Sequence, residues 1–404
     1  MNLIERKEYL NFLERNQGRQ IIKVVTGARR AGKSTLFFMF QNKLLEEGVQ
    51  QEQIQVINFE DIAFEDLLEY HALYRHVSER LIEDKCNYIF LDEIQHVPKF
   101  EKAVDSLFIK KNVDIYLTGS NAYMMSGELA TLLSGRFVEL SILPLSFKEF
   151  YTAQNENQYK FTLRELYEKY ITESSFPYAL QLNGNQRDIM EYLSGIYHTV
   201  LLKDIMTRMR INDPKMLESV IKYVFANIGN LMSSRKIANA MTSQGRKIDV
   251  KTVEKYLQGL LDSLLLYSAD RFDIKSKELL KFNPKYYVVD PALRFLLVGK
   301  KGRDTGHILE NVVYLELLRR GYKVYVGSDT EGEVDFIAQN ASGLHYFQVS
   351  ETTLQTETLE RELKPLKKIR DSYPKTLLTL DEVEAEADYE GIRKTNALKW
   401  LLRD

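Results

Sequence analysis

The most constraining feature of this chain is a short segment between two apolar runs. It contains two glycines, and lysine and serine follow the second of them. In "VVTGARRAGKSTLFFMF", Lys33 and Ser34 follow directly after the second glycine, Gly32, while Gly27 closes the first apolar run. The β-branched residues before Gly27 predict a strand, and the apolar residues after Ser34 predict a helix. Glycines let the main chain wrap closely, so that successive N–H groups and the helix N-terminus face one anion. The segment therefore predicts a phosphate-binding loop.

The lysine and the serine of this loop have separate predicted roles. Lys33 supplies a point charge to the β- and γ-phosphates of a nucleoside triphosphate, and the Ser34 hydroxyl is a ligand for Mg²⁺. ATP and Mg²⁺ are thus the expected ligands. The alternative interpretation is a glycine-rich strand-to-helix turn that binds nothing. The residues predicted to line the nucleotide are Gly27, Ala28, Arg29, Arg30, Ala31, Gly32, Lys33, Ser34 and Thr35.

A second apolar strand, "NYIFLDEIQHV", ends in two adjacent carboxylates. We expect Asp92 to hold the Mg²⁺ shell and Glu93 to orient and deprotonate the attacking water. The alternative is a strand that ends in a solvated acidic turn. A further strand, "IQVINFED", ends near Glu60 and Asp61, which are acidic neighbours of the same edge or residues of a solvated loop.

Three residues later in the chain are candidates for sensing the γ-phosphate or stabilising its transfer. The strand "VDIYLTGSNAYMMS" ends in a polar run, in which Asn121 is the preferred sensor and Ser120 the second choice; the alternative is helix capping. In "GELATLLSGRFVEL", Arg136 is a candidate arginine finger or a partner for a carboxylate. If Arg136 acts in trans, the chain forms a homo-oligomer.

Length and composition limit the remaining possibilities. A chain of 404 residues predicts two or three domains. The net charge is −2, with 44% hydrophobic and 28% charged residues, as in an ordinary globular chain. No signal-peptide core and no long apolar run is present, so we expect a cytoplasmic protein without a membrane partner.

Several stretches together resemble a family of prokaryotic AAA-type ATPases that carry a C-terminal domain of unknown function. These stretches are the phosphate loop, "FLDEIQHV", "LTGSN", "GELATLLSGRFVELSILPLSFKEF" and "KYYVVDPALRF". The resemblance implies an α/β P-loop fold with an AAA-like parallel sheet and helical lid over residues 1–205. It further implies a winged-helix domain over 206–298 and a small α/β domain similar to PD-(D/E)xK nucleases over 299–404. Ser174 and Ser175 replace the paired glycines that are usual before Phe-Pro.

The middle of the chain has the helix, turn, helix and strand order of a winged helix. Ser233 and Asp249 are predicted N-caps, and the second helix spans roughly 250–264. In a DNA reader that helix enters the major groove. The alternative is a packing or protein-contact module, because Glu254 and Asp262 dilute the basic face. The predicted phosphate contacts are Lys247, Lys251 and Lys255.

The last hundred residues show an amphipathic helix, "GHILENVVYLELLRR", and a hairpin, "GEVDFIAQNASGLHYFQVS". In the nuclease arrangement, Glu310 and Asp335 match two metal-binding acids. Gln348 stands at the position of the third acid and Ser350 at that of the lysine, so the site is predicted to be degenerate and retained for structure or binding. The remaining acids near these positions are Glu333 and Glu351.

These patterns predict a Mg²⁺-dependent ATPase that couples hydrolysis to a conformational change in its C-terminal region. The candidate partners of that region are DNA, bound through the winged helix, and a protein. The first alternative is an ATP-gated binding module with little turnover. The second is a metal-dependent DNA nuclease.

Overall fold

A computed structural model describes residues 3–119, 133, 135–155, 161–299, 305–329 and 332–403. The chain divides into two compact units. The first comprises Met1–Pro144 and Asp262–Leu264, and the second comprises Leu145–Leu261 and Leu265–Asp404. None of the helices in the described ranges has the length and apolarity needed to cross a bilayer. The predicted functional boundaries at residues 205 and 298 stay predictions.

The first unit contains a five-stranded sheet in which every neighbouring pair is parallel, as predicted. Its strands occur in the spatial order β2-β3-β4-β1-β5. Parallel pairing places all the carboxyl ends of the strands at one edge of the sheet, where ligands of α/β folds gather. The strands are β1 (Ile22–Gly27), β2 (Ile54–Asn58), β3 (Asn87–Asp92), β4 (Val113–Gly119) and β5 (Phe137–Ile142).

Helices cover both faces of this sheet because alternate residues of the central strands are apolar on both sides. On one face, Phe37 of α2 packs against Phe90, with ring centroids 5.1 Å apart. On the other, Leu73 of α3 and Leu107 of α4 join a buried cluster with Leu91. Burial on both faces explains why the strands are continuous apolar runs. The helices are α1 (Lys7–Asn16), α2 (Lys33–Glu46), α3 (Tyr70–Ser78) and α4 (Phe100–Phe108).

The second unit begins with helices. Ser233 caps α10 and Asp249 caps α11, each by accepting a hydrogen bond from a main-chain N–H three residues later, which confirms both predicted caps. A π-helical stretch, Tyr197–Ile205, precedes α8. The helices are α5 (Phe147–Asn155), α6 (Leu163–Glu173), α7 (Gln186–Ile196), α8 (Met206–Met209), α9 (Pro214–Ala226), α10 (Ser234–Ser243) and α11 (Val250–Asp262).

An eight-stranded mixed sheet, ordered β12-β13-β11-β10-β9-β8-β6-β7, forms the rest of this unit. The predicted hairpin is confirmed, since β9 and β10 are antiparallel. The β6–β7 pair joins the same sheet through a parallel pairing of β6 with β8. The strands are β6 (Leu266–Asp273), β7 (Glu278–Val288), β8 (Lys323–Asp329), β9 (Gly332–Asn340), β10 (Gly343–Ser350), β11 (Lys375–Thr379), β12 (Glu386–Tyr389) and β13 (Ile392–Asn396).

The helix predicted to be amphipathic, α13, is buried on all sides instead. Every residue from Ile308 to Leu317 is buried, including Glu310 and Glu316. The apolar spacing predicted a helix with one solvated face, but neighbouring elements cover the remaining faces. The other helices of this part are α12 (Pro291–Val298), α13 (Thr305–Arg319), α14 (Thr356–Lys368) and α15 (Ala397–Leu402).

The serines that replace paired glycines bind a buried carboxylate. Ser174 has a φ of 86°, in the region that glycine adopts most readily. The hydroxyl of Ser174 donates to Asp290 Oδ2 over 3.1 Å, and that of Ser175 donates to the same atom over 2.7 Å. The Ser175 N–H donates to it as well, over 2.6 Å. These bonds tie the helical segment of the second unit to the start of α12.

Candidate functional site

The phosphate-loop residues form a tight turn between β1 and α2. Positive φ values occur at Arg30 (66°) and Gly32 (101°), so the main chain turns back on itself before the helix begins at Lys33. A Cβ atom at Gly27 would lie 2.4 Å from the Ile142 carbonyl oxygen. Glycine is therefore required where β1 leaves the sheet. This geometry is the cradle that the glycine spacing predicts.

Lys33 is buried at the centre of this cradle. Its Nζ atom donates to the carbonyl oxygens of Gly27 over 3.2 Å and Ala28 over 3.5 Å. The same Nζ lies 3.2 Å from Glu93 Oε1. The ammonium group of Lys33 is thus held by the main chain of the loop and by the carboxylate of Glu93, which directly follows β3. The structure brings the predicted phosphate-binding cation and the predicted base to one point.

Asp92 and Glu93 lie at the carboxyl end of β3, held by a residue of the neighbouring strand. Thr118 of β4 donates its hydroxyl hydrogen to Asp92 Oδ1, and its oxygen accepts from the Glu93 N–H over 2.8 Å. Glu93 has a φ of 55°, which turns the chain away from the strand. All three residues are buried. The Thr118 hydroxyl therefore joins the two acidic residues into one rigid group.

Other side chains complete the rim. Gln95 donates to Glu93 Oε2 over 2.5 Å. Arg29 of the loop forms an ion pair with Glu60, with 2.5 Å between Nη2 and Oε1. Glu60 thus contacts the phosphate loop, which agrees with its interpretation as an acidic neighbour of this edge of the sheet. Ser34 and Thr35 are exposed in the first turn of α2, so their hydroxyl groups are accessible to a ligand at this edge.

The predicted finger residue stands apart from this group. Ser120 and Asn121 lie outside the described residues. Arg136 is exposed and directly precedes β5, where its carbonyl accepts from the N–H of Ile22, the first residue of β1. That contact places Arg136 at the amino ends of the strands, the edge opposite the loop. Its guanidinium lies 5.6 Å from the Phe108 ring centroid, so the structure does not bring it to the phosphate loop of its own chain.

A second group of charged residues lies in the eight-stranded sheet. The N–H of Asp335 donates to Gln348 Oε1 over 3.3 Å, and Asp335 Oδ2 accepts from Val349 over 2.9 Å. Gln348 thus stands beside Asp335, as the nuclease resemblance implies. Ser350 donates to the Thr352 carbonyl instead.

A lysine from another strand reaches these acids. Lys285 Nζ, on β7, lies 2.9 Å from Glu310 Oε1, 2.6 Å from Glu333 Oε1 and 3.5 Å from Asp335 Oδ1. Burial and the nearby Glu310 raise the pKa of Asp335 to about 7, against the opposing effect of Lys285. Glu351, the other acid considered, accepts from Thr305. We call Lys285, Glu310, Glu333 and Asp335 the lysine–carboxylate cluster.

Sequence reasoning missed two residues of these groups. Thr118 lay within the polar run that ends β4, but residues further along were preferred to it. Its position beside the end of β3 would have identified Thr118, but that position is known only once the strand order is known. Lys285 directly precedes the apolar run "YYVV", and a lysine next to such a run was the one local hint of a charged partner.

The predicted DNA-contacting lysines lie on the exposed side of α11 and its preceding turn. Lys247, Lys251 and Lys255 are exposed, as is Glu254 between them. The opposite side of the helix, including Val253 and Leu260, is buried. The three lysines are therefore accessible to a binding partner, and the carboxylate of Glu254 lies on the same exposed surface.

Family comparisons agree with this geometry. Residues 19–151 match an AAA domain, and residues 164–304 match a domain of unknown function (DUF8612). A solved Walker-type ATPase of Pyrococcus abyssi is similar in fold, with a TM-score of 0.50 and 17% identity. The match covers 73% of this chain and 96% of that one. The α/β fold with a parallel sheet is therefore that of P-loop ATPases.

Two relatives are similar over most of their length, and both are described as uncharacterized proteins. The one from Haemophilus influenzae is 37% identical, over 99% of each chain. The one from Methanocaldococcus jannaschii is 31% identical, over 86% of this chain and 79% of that protein. The chain belongs to the same protein family as these two relatives, and its N-terminal part is an AAA-type, P-loop ATPase-like domain.

Proposed function

We propose that the protein binds ATP with Mg²⁺ and hydrolyses it at the edge formed by the phosphate loop and the end of β3. The observation that carries this proposal is the 3.2 Å contact between Lys33 Nζ and Glu93 Oε1. This contact supports the proposal because a γ-phosphate bound to Lys33 would lie within reach of the Glu93 carboxylate.

Each residue has a defined task in this reaction. The main-chain N–H groups of the loop and the amino end of α2 bind the phosphate oxygens, and Lys33 neutralises charge on the β- and γ-phosphates. Glu93 orients the attacking water and accepts its proton. Thr118 keeps Glu93 and Asp92 in fixed positions through its two hydrogen bonds. Asn121 and, in a second copy of the chain, Arg136 stay the candidates for sensor and finger.

The oxygen donors at this edge suit magnesium. The exposed Ser34 hydroxyl and the buried Asp92 carboxylate are the residues that would hold the ion, because hard oxygen ligands are what Mg²⁺ prefers. When bound, the ion would help to neutralise the charge that develops on the transferred phosphoryl group.

The test is the steady-state rate of ATP hydrolysis with Mg²⁺, for the wild type and for Glu93→Gln, with and without duplex DNA. We expect a basal rate that falls at least about 100-fold in Glu93→Gln, as for loss of a general base. Glu14→Gln, which makes the same substitution at a carboxylate paired with Lys43, is the matched charge control and should keep the rate. A wild-type rate no higher than that of Glu93→Gln would refute the proposal that Glu93 is the base for ATP hydrolysis.

A second candidate function is an ATP-gated binding module with little turnover. The observation that favours it is the ion pair between Lys33 and Glu93, because a phosphate bound to Lys33 would compete with this carboxylate. Displacement of Glu93 would move the residue that follows β3, so binding alone would change the conformation there. ATP affinity without measurable turnover, together with a partner that binds only the ATP form, would favour this candidate.

DNA is the candidate partner of the C-terminal region. The support is the order of the elements α9, α10, α11 and the β6–β7 pair, which is the order expected of a winged helix, together with the three exposed lysines on and before α11. We expect duplex DNA to raise the Glu93-dependent rate, and Lys251→Gln/Lys255→Gln to remove that increase at low salt. A rate unaffected by DNA would direct the search to a protein partner.

A further inference from the structure

The lysine–carboxylate cluster contains a cation supplied by the chain itself. The Lys285 ammonium approaches three carboxylates from two other elements, Glu310 on α13 and Glu333 and Asp335 on β9. A nuclease-like domain would place a divalent metal ion among such acids. Here the ammonium group occupies the space between them.

The oxygen atoms of the cluster are largely engaged. Glu310 Oε1 accepts from Lys285 and also from the Tyr287 hydroxyl, over 2.7 Å. His307 Nδ1 lies 3.4 Å from Glu310 Oε2, and Asp335 Oδ2 accepts from the Val349 N–H. Across the described ranges, no three His, Cys, Asp or Glu side chains are arranged to hold a metal ion. With the Lys285 ammonium group among them, these residues therefore do not fit a divalent cation.

Access to the cluster is also restricted. The side chain of Lys285 is 4% exposed and that of Glu310 is 7% exposed, whereas that of Glu333 is 36% exposed. The main chain at Gly229 packs against His307 and Glu310. A Cβ atom there would lie 2.7 Å from His307 Nδ1 and 3.0 Å from Glu310 Oε2. The buried side chains of Lys285 and Glu310, with Gly229 packed beside Glu310, leave a phosphodiester little access to Glu310.

Lys285 keeps its charge in this position. Burial by itself lowers the pKa of the lysine, but Glu310, Asp335 and Glu333 outweigh it and raise that pKa above its usual value. Burial raises the pKa of Glu310, but Lys285 and the contacts with His307 and Tyr287 together outweigh burial, so the pKa of Glu310 is lowered. The pair is therefore ionised at neutral pH.

We propose that Lys285 is the resident cation of this cluster, standing where a nuclease would bind its metal. The wild-type cluster then binds no divalent metal and supports no metal-dependent cleavage of DNA. Its task is to hold β7, α13 and β9 together. Removing Lys285 should open a latent cation site formed by Glu310, Glu333 and Asp335.

The test counts bound Mn²⁺ by electron paramagnetic resonance in the full chain without nucleotide, using Asp92→Asn as the background to exclude the phosphate-loop edge. We expect no Mn²⁺ to bind at the cluster in this background. Lys285→Ala should bind about one Mn²⁺ per chain, at least about tenfold more tightly than the background, and the melting temperature of this variant should rise more with Mn²⁺ than that of the background. Adding Glu310→Gln should remove the gain.

Lys285→Arg, which keeps a cation, is the matched control and should bind no Mn²⁺ at the cluster. If Lys285→Ala does not fold, Lys285→Met, which keeps the length of the side chain, takes its place. Mn²⁺ bound in the background and lost with Glu310→Gln would overturn the proposal, as would a Lys285 variant that folds and gains no ion. DNA cleavage by the wild type that Asp335→Ala abolishes would overturn it too.

Discussion

The Nζ atom of Lys33 lies 3.2 Å from Oε1 of Glu93, so these two buried side chains form an ion pair. In the proposed function, Lys33 also contacts a second anion, the nucleotide phosphate. The carboxylate therefore competes with the ligand for Lys33. This competition has a measurable consequence for affinity that is separate from turnover.

Glu93→Gln should bind ATP more tightly than the wild type. Neutralising the carboxylate removes a charge-assisted contact that ATP binding has to break. If that contact contributes about 1 kcal/mol, its loss increases the affinity for ATP about fivefold. Titration calorimetry with a slowly hydrolysed ATP analogue measures the effect. Glu60→Gln, which alters the pair with Arg29 at the rim, should not tighten binding; weaker binding by Glu93→Gln would contradict this account.

Thr118→Val should lower kcat and leave KM for ATP nearly unchanged. Valine has a similar shape but cannot bond to Asp92 or accept from the buried Glu93 N–H. An unsatisfied buried group costs about 1 to 3 kcal/mol, or roughly 5- to 150-fold if it falls on the transition state. Thr118→Ser restores the hydroxyl and should restore kcat. A valine variant with wild-type kcat would show that Thr118 does not position Glu93.

Gly27→Ala should destabilise the first unit and weaken ATP binding. The added Cβ would lie 2.4 Å from the Ile142 carbonyl oxygen, so β1 and β5 must separate at the phosphate loop. We expect a loss of about 1 to 3 kcal/mol in urea unfolding, as for overpacking. Gly48→Ala is the control, because its φ is also positive but nothing lies within 4 Å of the new Cβ. Equal losses in both variants would assign the effect to φ alone.

Ser175→Ala should destabilise the second unit. The variant loses a 2.7 Å hydrogen bond to Asp290, a buried carboxylate whose pKa is raised by burial. A hydrogen bond to a charged group contributes about 1.5 to 3 kcal/mol, measured by urea unfolding. Ser243→Ala, which removes an exposed hydroxyl that bonds to a helix carbonyl, should lose much less. Similar losses in the two variants would argue against a special role for the serine pair.

The stability of the second unit should fall in acid because of His345. Burial lowers the pKa of His345 to about 4, from 6.5, so the unfolded chain binds the proton more readily. The contribution of neutral His345 to the free energy of unfolding is at most about 3 kcal/mol. It is complete above about pH 6.5 and is lost as the pH falls towards 4. Thermal melts between pH 4 and pH 7 should show a weaker pH dependence for His345→Gln. An unchanged pH dependence would contradict the burial of a neutral imidazole.

The sequence by itself determined the elements whose residues are neighbours along the chain. The strand before Gly27, the turn to Lys33 and the helix after it are local, and so is the strand that ends in Asp92. Hydrophobic periodicity and glycine spacing report local conformation directly, so the phosphate loop and the acidic pair could be located. The caps at Ser233 and Asp249 were predictable for the same reason.

Only the tertiary structure decided which distant residues meet. The strand order places Thr118 beside Asp92 and places Arg136 at the opposite edge. Long-range packing buries α13 on all sides and brings Lys285 to acids 25 and 50 residues away. Such contacts depend on how sheets pair and pack, and periodicity along one chain does not record that pairing. The acids of the lysine–carboxylate cluster were identifiable from the sequence, but the cation that neutralises them was not.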